Sequence, residues 1–267
     1  MIHLIDRSNR HLYPAPIEEK HPPRKVNFVD ERGWSGATVR GGGEYDDRDD
    51  DRTLHFLALD DDGRVGVSMR ARPTDDKCMV VDVFPQLVYV GAADVKDPRC
   101  WEISRIYSSR KFRTRAGLRR RDEVFLASME AAVDHGIARL VGIIDTHLLP
   151  LAMRFPWKLK PLGLPAAYPR GEMIGIDIPV SSELLQNARE ALAIEGSIFV
   201  SQAHAPGVTD AEIAQLLRAG HLPPDAFKAF AELVRDTAAL QDRVSEPQLL
   251  AMIDRLAAQW RRGHTAH

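Results

Sequence analysis

Residues 101–144 read WEISRIYSSRKFRTRAGLRRRDEVFLASMEAAVDHGIARLVGII, and this stretch decides the fold class. Trp101, Ile103, Ile106 and Tyr107 give residues 101–107 the composition of a strand. In residues 122–135, Val124, Phe125, Met129, Ala132 and Val133 fall mostly on one helical face, and Gly136 stands where such a helix stops. Residues 138–144 form a second apolar run, short enough for a buried strand. Strand, helix and strand in this order predict a mixed α/β fold.

Working outward, residues 53–59 and 65–70 flank Asp60-Asp61-Asp62-Gly63. Asp-Gly between two apolar runs predicts a hairpin. Residues 78–83, closed by Phe84-Pro85, and residues 173–180 read as two more strands, and residues 1–13 as an edge strand. Pro22-Pro23 predicts an extended entry to Arg24 rather than a regular helix. Residues 36–52 hold Gly41-Gly42-Gly43 and an acidic run from Glu44 to Asp51, which predicts a loop with too little apolar content to be core.

The character changes at residue 181. Residues 182–195 read as a helix ending at Gly196. Thr209-Asp210-Ala211-Glu212 and Ser245-Glu246-Pro247-Gln248 are capping boxes opening further helices. The expected organisation is a mixed α/β part over residues 1–180 and a helical C-terminal extension over 181–267. The apolar faces of that extension need a partner: its own domain is favoured, with a homodimer contact or another protein as the other uses.

Composition sets bounds. Hydrophobic residues are 44% of 267, enough for a sizeable core, which rules out a disordered chain, a collagen-like repeat and a disulfide scaffold. Lys plus Arg is 36 and Asp plus Glu is 38, for a net charge of -2, so no global basic field invites nucleic acid. Cys78 and Cys100 have no CxxC spacing and read as reduced, small hydrophobes. The histidines show no HExxH spacing, and the acidic run lacks the glycine and terminal Glu of a calcium loop, so no metal is expected. No apolar run approaches the roughly 20 residues of a membrane span, and the N-terminus has no signal-peptide core. A cytoplasmic protein without membrane or nucleic-acid partners is expected.

Chemistry concentrates in ordered clusters: Arg24-x3-Phe28-x5-Trp34, Glu44-x-Asp46-x2-Asp49, Arg70-x2-Pro73-Thr74, Asp82-x-Phe84-Pro85-x-Leu87 and Trp101-Glu102-x-Ser104-Arg105. Charged groups on a strand are costly unless paired. Over roughly residues 20–180, this ordered set resembles the acyl-homoserine lactone synthases, the LuxI-type autoinducer synthases.

The resemblance implies a GNAT-type N-acyltransferase fold, with a mixed, splayed sheet flanked by helices and substrates in the cleft. It implies an acyltransferase that acylates the amine of S-adenosylmethionine, from an acyl carrier protein or acyl-coenzyme A, followed by lactonisation and release of methylthioadenosine. Both reactants are substrates, and no cofactor is implied. The matched positions are Arg24, Phe28, Trp34, Asp46, Asp49, Arg70, Phe84, Glu102 and Arg105. Glu102 is the expected general base. N–H groups near Ser104 and Ile106 are expected to face the oxyanion, with Arg105 beside them. Arg24 or Arg105 suits the substrate carboxylate, Asp46 and Asp49 its cationic groups, and Phe28 and Trp34 its adenine or sulfonium. Phe84 shapes the pocket floor. Ile144 stands where members making 3-oxo products often have Thr, which implies an unsubstituted acyl chain.

Residues 114–119, Thr-Arg-Ala-Gly-Leu-Arg, break the pyrophosphate-loop pattern of coenzyme A-binding relatives, which favours a carrier-protein donor. The basic run Arg110, Lys111, Arg113, Arg115, Arg119, Arg120 and Arg121, extended by Arg154, Lys158 and Lys160, suits an acidic carrier protein or the phosphates of coenzyme A. Two other readings stay open: a GNAT-fold N-acyltransferase acting on another amine, and a non-catalytic ligand-binding relative.

Overall fold

The structure, a computed structural model, describes residues 1–34, 36–89, 95–109, 112 and 115–200. The helices expected beyond residue 200, the side chain of Arg115, and Arg110, Lys111 and Arg113 of the basic run lie outside the described residues. So does any dimer contact made by those helices.

Among the described residues there are ten strands: β1 (His3–Ile5), β2 (Thr38–Arg40), β3 (Gly43–Tyr45), β4 (Leu54–Leu59), β5 (Val65–Pro73), β6 (Cys100–Ser108), β7 (Arg139–Asp145), β8 (Lys160–Pro161), β9 (Ala166–Tyr168) and β10 (Gly171–Pro179). The main sheet runs β1-β4-β5-β6-β7-β10-β8, with β9 also on β10, while β2 and β3 form a separate ribbon. Between these strands every pairing is antiparallel except β6 with β7. The hairpin at Asp60-Gly63 is present, with Gly63 at φ 75. The helices are α1 (Pro14–Glu19), α2 (His21–Arg24), α3 (Met79–Asp82), α4 (Arg115–Asp134), α5 (Leu149–Ala152) and α6 (Ser182–Leu192).

Parallel β6 and β7 require a crossover, and α4 supplies it. Gly136 at φ 67 follows the helix where expected. Residues 124–132 of α4 put Val124, Phe125, Leu126, Met129 and Ala132 into the core, against Phe56 of β4, Val67, Met69 and Ala71 of β5, and Trp101 and Ile103 of β6. Because side chains alternate along a strand, the intervening residues Arg70, Arg72, Glu102 and Ser104 occupy the opposite face. That second face is also buried, with Arg70, Arg72 and Glu102 each 2% exposed.

Four local expectations are corrected. Residues 14–24 are helical, because Pro22 and Pro23 stand in the first turn of α2, where a missing N–H costs nothing, and a π-helical segment, Lys25–Glu31, follows directly. Residues 79–82 are the helix α3 rather than strand. The Glu102 carboxylate accepts the N–H groups of Met79 (3.0 Å) and Val80 (2.8 Å), satisfying donors that a helix start leaves open. The acidic run is only partly solvated: Glu44, on β3, is buried, and Asp46 and Asp49 nearly so, whereas Asp47 and Asp51 stay exposed. Finally, α6 stops at Leu192, where Ala193 turns left-handed at φ 51 and Ile194 N–H closes on Arg189 O, four residues before Gly196 would have ended a helix.

The compact unit spans Met1–Phe199. Within it α6 starts at a Ser181 cap and packs on α4, Arg189 pairs with Glu130 at 3.1 Å, and Ile198 O accepts the N–H of Ile2. No helix among the described residues is long and apolar enough to cross a membrane.

Candidate active site

Charges buried on the second sheet face must be paired, and the acidic run supplies the partners. Arg70 on β5 donates from Nε to Ser104 Oγ (3.0 Å) and from Nη1 to Asp46 Oδ1 (2.6 Å) and Asp49 Oδ1 (3.3 Å). Arg24, at the end of α2, donates from Nε to Glu44 Oε2 (2.5 Å) and from Nη1 to both oxygens of Asp49 (3.0 and 2.8 Å). Arg105 on β6 reaches Glu44 Oε1 through Nε (3.0 Å) and Nη2 (2.7 Å), and Nη2 pairs with Asp46 Oδ2 at 2.8 Å. Three guanidiniums from three elements thus meet three carboxylates, Glu44 on β3 and Asp46 and Asp49 in the turn that follows it. Among the described residues no group of His, Cys, Asp and Glu is arranged to hold a metal ion.

The electrostatics follow. Burial alone would raise the Asp46 pKa, but Arg70 and Arg105 outweigh it and hold the group at about 2. Asp49 moves the same way, because Arg70 and Arg24 overcome its burial. Glu102 goes in the other direction. Burial raises its pKa, against the two backbone N–H bonds and the field of Arg70. Lys20 lies under Asp49 (Nζ to Oδ1 3.9 Å), and burial brings it down to about 8.

Arg105 also marks a backbone feature. Between Ser68 and Arg70, β5 advances two residues while β6 passes from Tyr107 to Ser104, which is three. The extra residue is a bulge, and Arg105 sits in it at φ 54. A non-glycine residue there is strained by roughly 1–2 kcal/mol, and the ion pairs to Glu44 and Asp46 hold it. The register leaves Arg105 and Ile106 without opposite numbers. Across β6, pairing with β7 covers only Cys100 to Glu102. Gly142 permits the close approach, since a Cβ there would lie 2.8 Å from Ile103 O.

Beyond Glu102 the two strands part, and a cleft opens between them. Its empty volume is ≈ 890 Å³, part of it open to solvent. One wall is aromatic. Phe28 and Trp34 stand 5.2 Å apart, Phe84 lies 6.4 Å behind Trp34, and the Arg105 guanidinium is 5.2 Å from Phe28 and 5.3 Å from Trp34. Ser104, Arg105 and Ile106 form the back of the cleft. The far end is apolar: Ile144, Leu148, Leu151 and Ile176, with Phe125 against Trp157 at 4.5 Å.

Of the residues expected from sequence, Phe28, Trp34, Ser104, Arg105 and Ile144 line this cleft. Arg24, Asp46, Asp49 and Arg70 stand behind them as the ion network. Phe84 backs Trp34 rather than forming the floor, which belongs to Phe125 and Trp157. Glu102 lies one layer back, with its oxygens on α3. Thr146 does not line the cleft, and its hydroxyl donates to Glu172 O (3.3 Å), leaving Ile143 and Ile144 to face the chamber. In the described part of the basic run, Arg119 and Arg120 pair with Glu123, whereas Arg121 lines the cleft and lies 5.8 Å from the Phe125 ring. Sequence reading missed Arg32, Met79 and Asp145 in the lining, and Lys20 beneath it. Arg32 alone carried a signal, lying between Phe28 and Trp34.

Residues 8–188 match the model of a family described as autoinducer synthase. The chain belongs to the autoinducer synthase family. It is 36% identical over 171 residues to the isovaleryl-homoserine lactone synthase of Bradyrhizobium diazoefficiens, covering 62% of this chain and 74% of that one. It is 32% identical over 131 residues to an acyl-homoserine-lactone synthase of Ralstonia nicotianae, covering 48% and 64%. Among solved structures it resembles the CoA-dependent acyl-homoserine lactone synthase BjaI, determined with SAM and isopentyl-CoA: TM-score 0.68, 31% identity, 80% of this chain and 97% of that one. It also resembles the CoA-dependent synthase MesI, with TM-score 0.63 and 28% identity over 75% and 99%. In this autoinducer synthase the parting of β6 and β7 splays the mixed sheet, as the resemblance implied.

Proposed function

We propose that this autoinducer synthase makes an acyl-homoserine lactone, a quorum-sensing signal, from S-adenosylmethionine and an acyl-coenzyme A. The observation that carries this reading is the cleft itself. It joins an aromatic wall backed by an arginine–carboxylate network to an apolar chamber, in a chain similar to a synthase solved with SAM and isopentyl-CoA. The adenosylmethionine amine loses a proton and attacks the thioester carbonyl, and the thiolate leaves. The substrate carboxylate oxygen then attacks the carbon next to sulfur, which closes the lactone and expels neutral methylthioadenosine.

We assign the residues as follows. Glu102 takes the amine proton through a water beside Ser104. Burial raises its pKa, against the two backbone N–H bonds and the field of Arg70, and a base works best when its pKa approaches the working pH. The N–H groups of Arg105 and Ile106, freed from the ladder by the bulge, face the oxyanion. Phe28 and Trp34 take the adenine or sulfonium. Arg24, Arg70, Asp46 and Asp49 set the position of that wall and of the bulge. Ile144 offers the acyl chain no hydrogen bond, which fits an unsubstituted chain, and the Phe125–Trp157 floor fits a short one. Arg121 is positioned toward the donor. Coenzyme A is preferred to a carrier protein because both solved relatives above are CoA-dependent. We place the reaction in the cytoplasm, where both substrates are made.

The test is one incubation with adenosylmethionine and a panel of acyl-coenzyme A and acyl-carrier-protein donors, read by mass spectrometry. Methylthioadenosine together with an acyl-homoserine lactone is the expected result. An acylated amine without methylthioadenosine would indicate an N-acyltransferase for another substrate, and neither product across the panel would sink the reading.

A further inference from the structure

The aromatic wall is carried by a short segment, residues 25–34, whose local structure is unusual. Lys25–Glu31 is π-helical, a wide coil found mostly as brief insertions at functional sites. Gly33 follows at φ 70. Trp34 N–H closes on Phe28 O (2.9 Å) and Gly33 N–H on Val29 O (2.9 Å), so the two aromatic residues move as one unit. A segment of this kind owes its position to what anchors it.

The anchor lies across the cleft. Arg32 Nε donates to Asp145 Oδ2 at 2.8 Å, spanning 113 residues of sequence, while its Nη1 donates to Asn27 O at 2.8 Å and its guanidinium lies 5.3 Å from the Phe28 ring. Arg32 therefore ties the segment to itself and to β7 at once. Asp145, the last residue of β7, is 6% exposed. Its second oxygen is taken by the Tyr168 hydroxyl at 2.8 Å, from the β9–β10 hairpin. Burial, and then the Asp145 carboxylate, push the Tyr168 phenol up to about 12, so it stays a donor. Arg170 adds bonds to the carbonyls of Asp30 and Glu31. Asp145 is thus a nearly buried carboxylate with one arginine and one phenol, each from a different wall.

We infer that Asp145 is a positioning residue. Through Arg32, and steadied by Tyr168, it holds the Phe28–Trp34 wall at the spacing that adenosylmethionine requires. The inference rests on the proposed function for the identity of the ligand, but not for the existence of the clamp. Breaking it leaves β7 in its sheet and frees residues 25–34.

Hydrogen exchange on the full-length protein, without ligand, reads the clamp directly. Asp145→Asn and Arg32→Gln should each raise exchange across residues 25–34 by roughly tenfold, the equivalent of about 1.4 kcal/mol, while the amides of residues 67–71 and 140–143 keep their protection. The double variant should open the segment by less than the product of the two single effects, because both changes remove the Arg32–Asp145 bond. Tyr168→Phe should act in the same direction, more weakly. Calorimetric titration with adenosylmethionine should show about tenfold weaker binding for Asp145→Asn. Turnover at saturating substrate should fall by much less. Unchanged exchange over 25–34 would overturn the inference, even if binding weakens, because Asp145 would then be touching the ligand. Loss of protection throughout the sheet would overturn it too, marking a merely structural pair. If wild type binds no adenosylmethionine, the functional reading fails, while the exchange data still judge the clamp.

Discussion

Glu102→Gln separates two roles that the geometry assigns to one carboxylate. As an anchor, Glu102 accepts N–H bonds from Met79 and Val80 at 3.0 and 2.8 Å and so fixes α3, whose Met79 lines the cleft. Glutamine keeps one acceptor oxygen and turns an NH2 group toward the other N–H. One bond to a charged acceptor is lost and one buried donor is left unpaired, at about 1.5–3 kcal/mol. For a unit of this size each kcal/mol lowers the melting temperature by roughly 2–4 °C, so a fall of about 3–12 °C is expected. As a base, Glu102 is worth more. Removing a positioned proton acceptor costs typically 10²- to 10⁴-fold in rate. Turnover should therefore drop at least about a hundredfold, while calorimetric binding of adenosylmethionine changes less than about fivefold. The acid limb of wild-type kcat/KM should lie above the usual carboxylate range, because burial raises the Glu102 pKa, and the variant should lose that limb. A Glu102→Gln enzyme within threefold of wild-type turnover would refute the base. A melting temperature unchanged within 1 °C would refute the anchor.

Three further outcomes follow from the same contacts. Glu44→Gln leaves the buried guanidiniums of Arg24 and Arg105 short of a counter-ion, which should cost about 3–5 kcal/mol and lower the melting temperature by roughly 6–20 °C; a shift under 3 °C would show that the network is dispensable. Asp46 has a folded pKa of about 2 against 3.8 unfolded. A depressed carboxylate stabilises fully above its unfolded pKa and loses that contribution as pH falls through the folded one. About 2.5 kcal/mol should therefore disappear between roughly pH 4 and 2. Urea midpoints across that window should fall less steeply in Asp46→Asn, and equal slopes would contradict the assignment. Trp157→Leu should open the apolar end of the chamber. Because each methylene is worth about 1–3 kcal/mol in a fitted apolar pocket, the product ratio should move at least about tenfold toward longer acyl chains in a mixed-donor assay, and an unaltered ratio would remove Trp157 from the floor.

What the sequence made legible divides along one physical line. The strand–helix–strand unit of 101–144 and the Asp60-Gly63 hairpin were readable because their signals are local: apolar spacing, a stop glycine, a turn dipeptide. Two of the misread segments owe their structure to a charge partner far away in the chain. Residues 78–83 look like strand until Glu102, more than twenty positions on, caps them as a helix. Glu44, Asp46 and Asp49 look solvated until three arginines from elsewhere cover them. Pro22-Pro23 reads as a breaker until α1 places the pair in a first turn. The same line explains the site. Residues matching a family pattern were found, but Asp145, Lys20 and Met79, outside that pattern, were not, since nothing in their neighbours distinguishes them from ordinary strand, helix and loop residues. The consequence is mechanical. A cleft whose back and aromatic wall are fixed by buried ion pairs, and whose α3 is fixed by N–H bonds to a buried carboxylate, has its shape set by protonation and charge. Single isosteric changes such as Glu to Gln or Asp to Asn, which alter no volume, should therefore move its geometry more than methyl-sized changes in the Val124–Met129 core beneath α4.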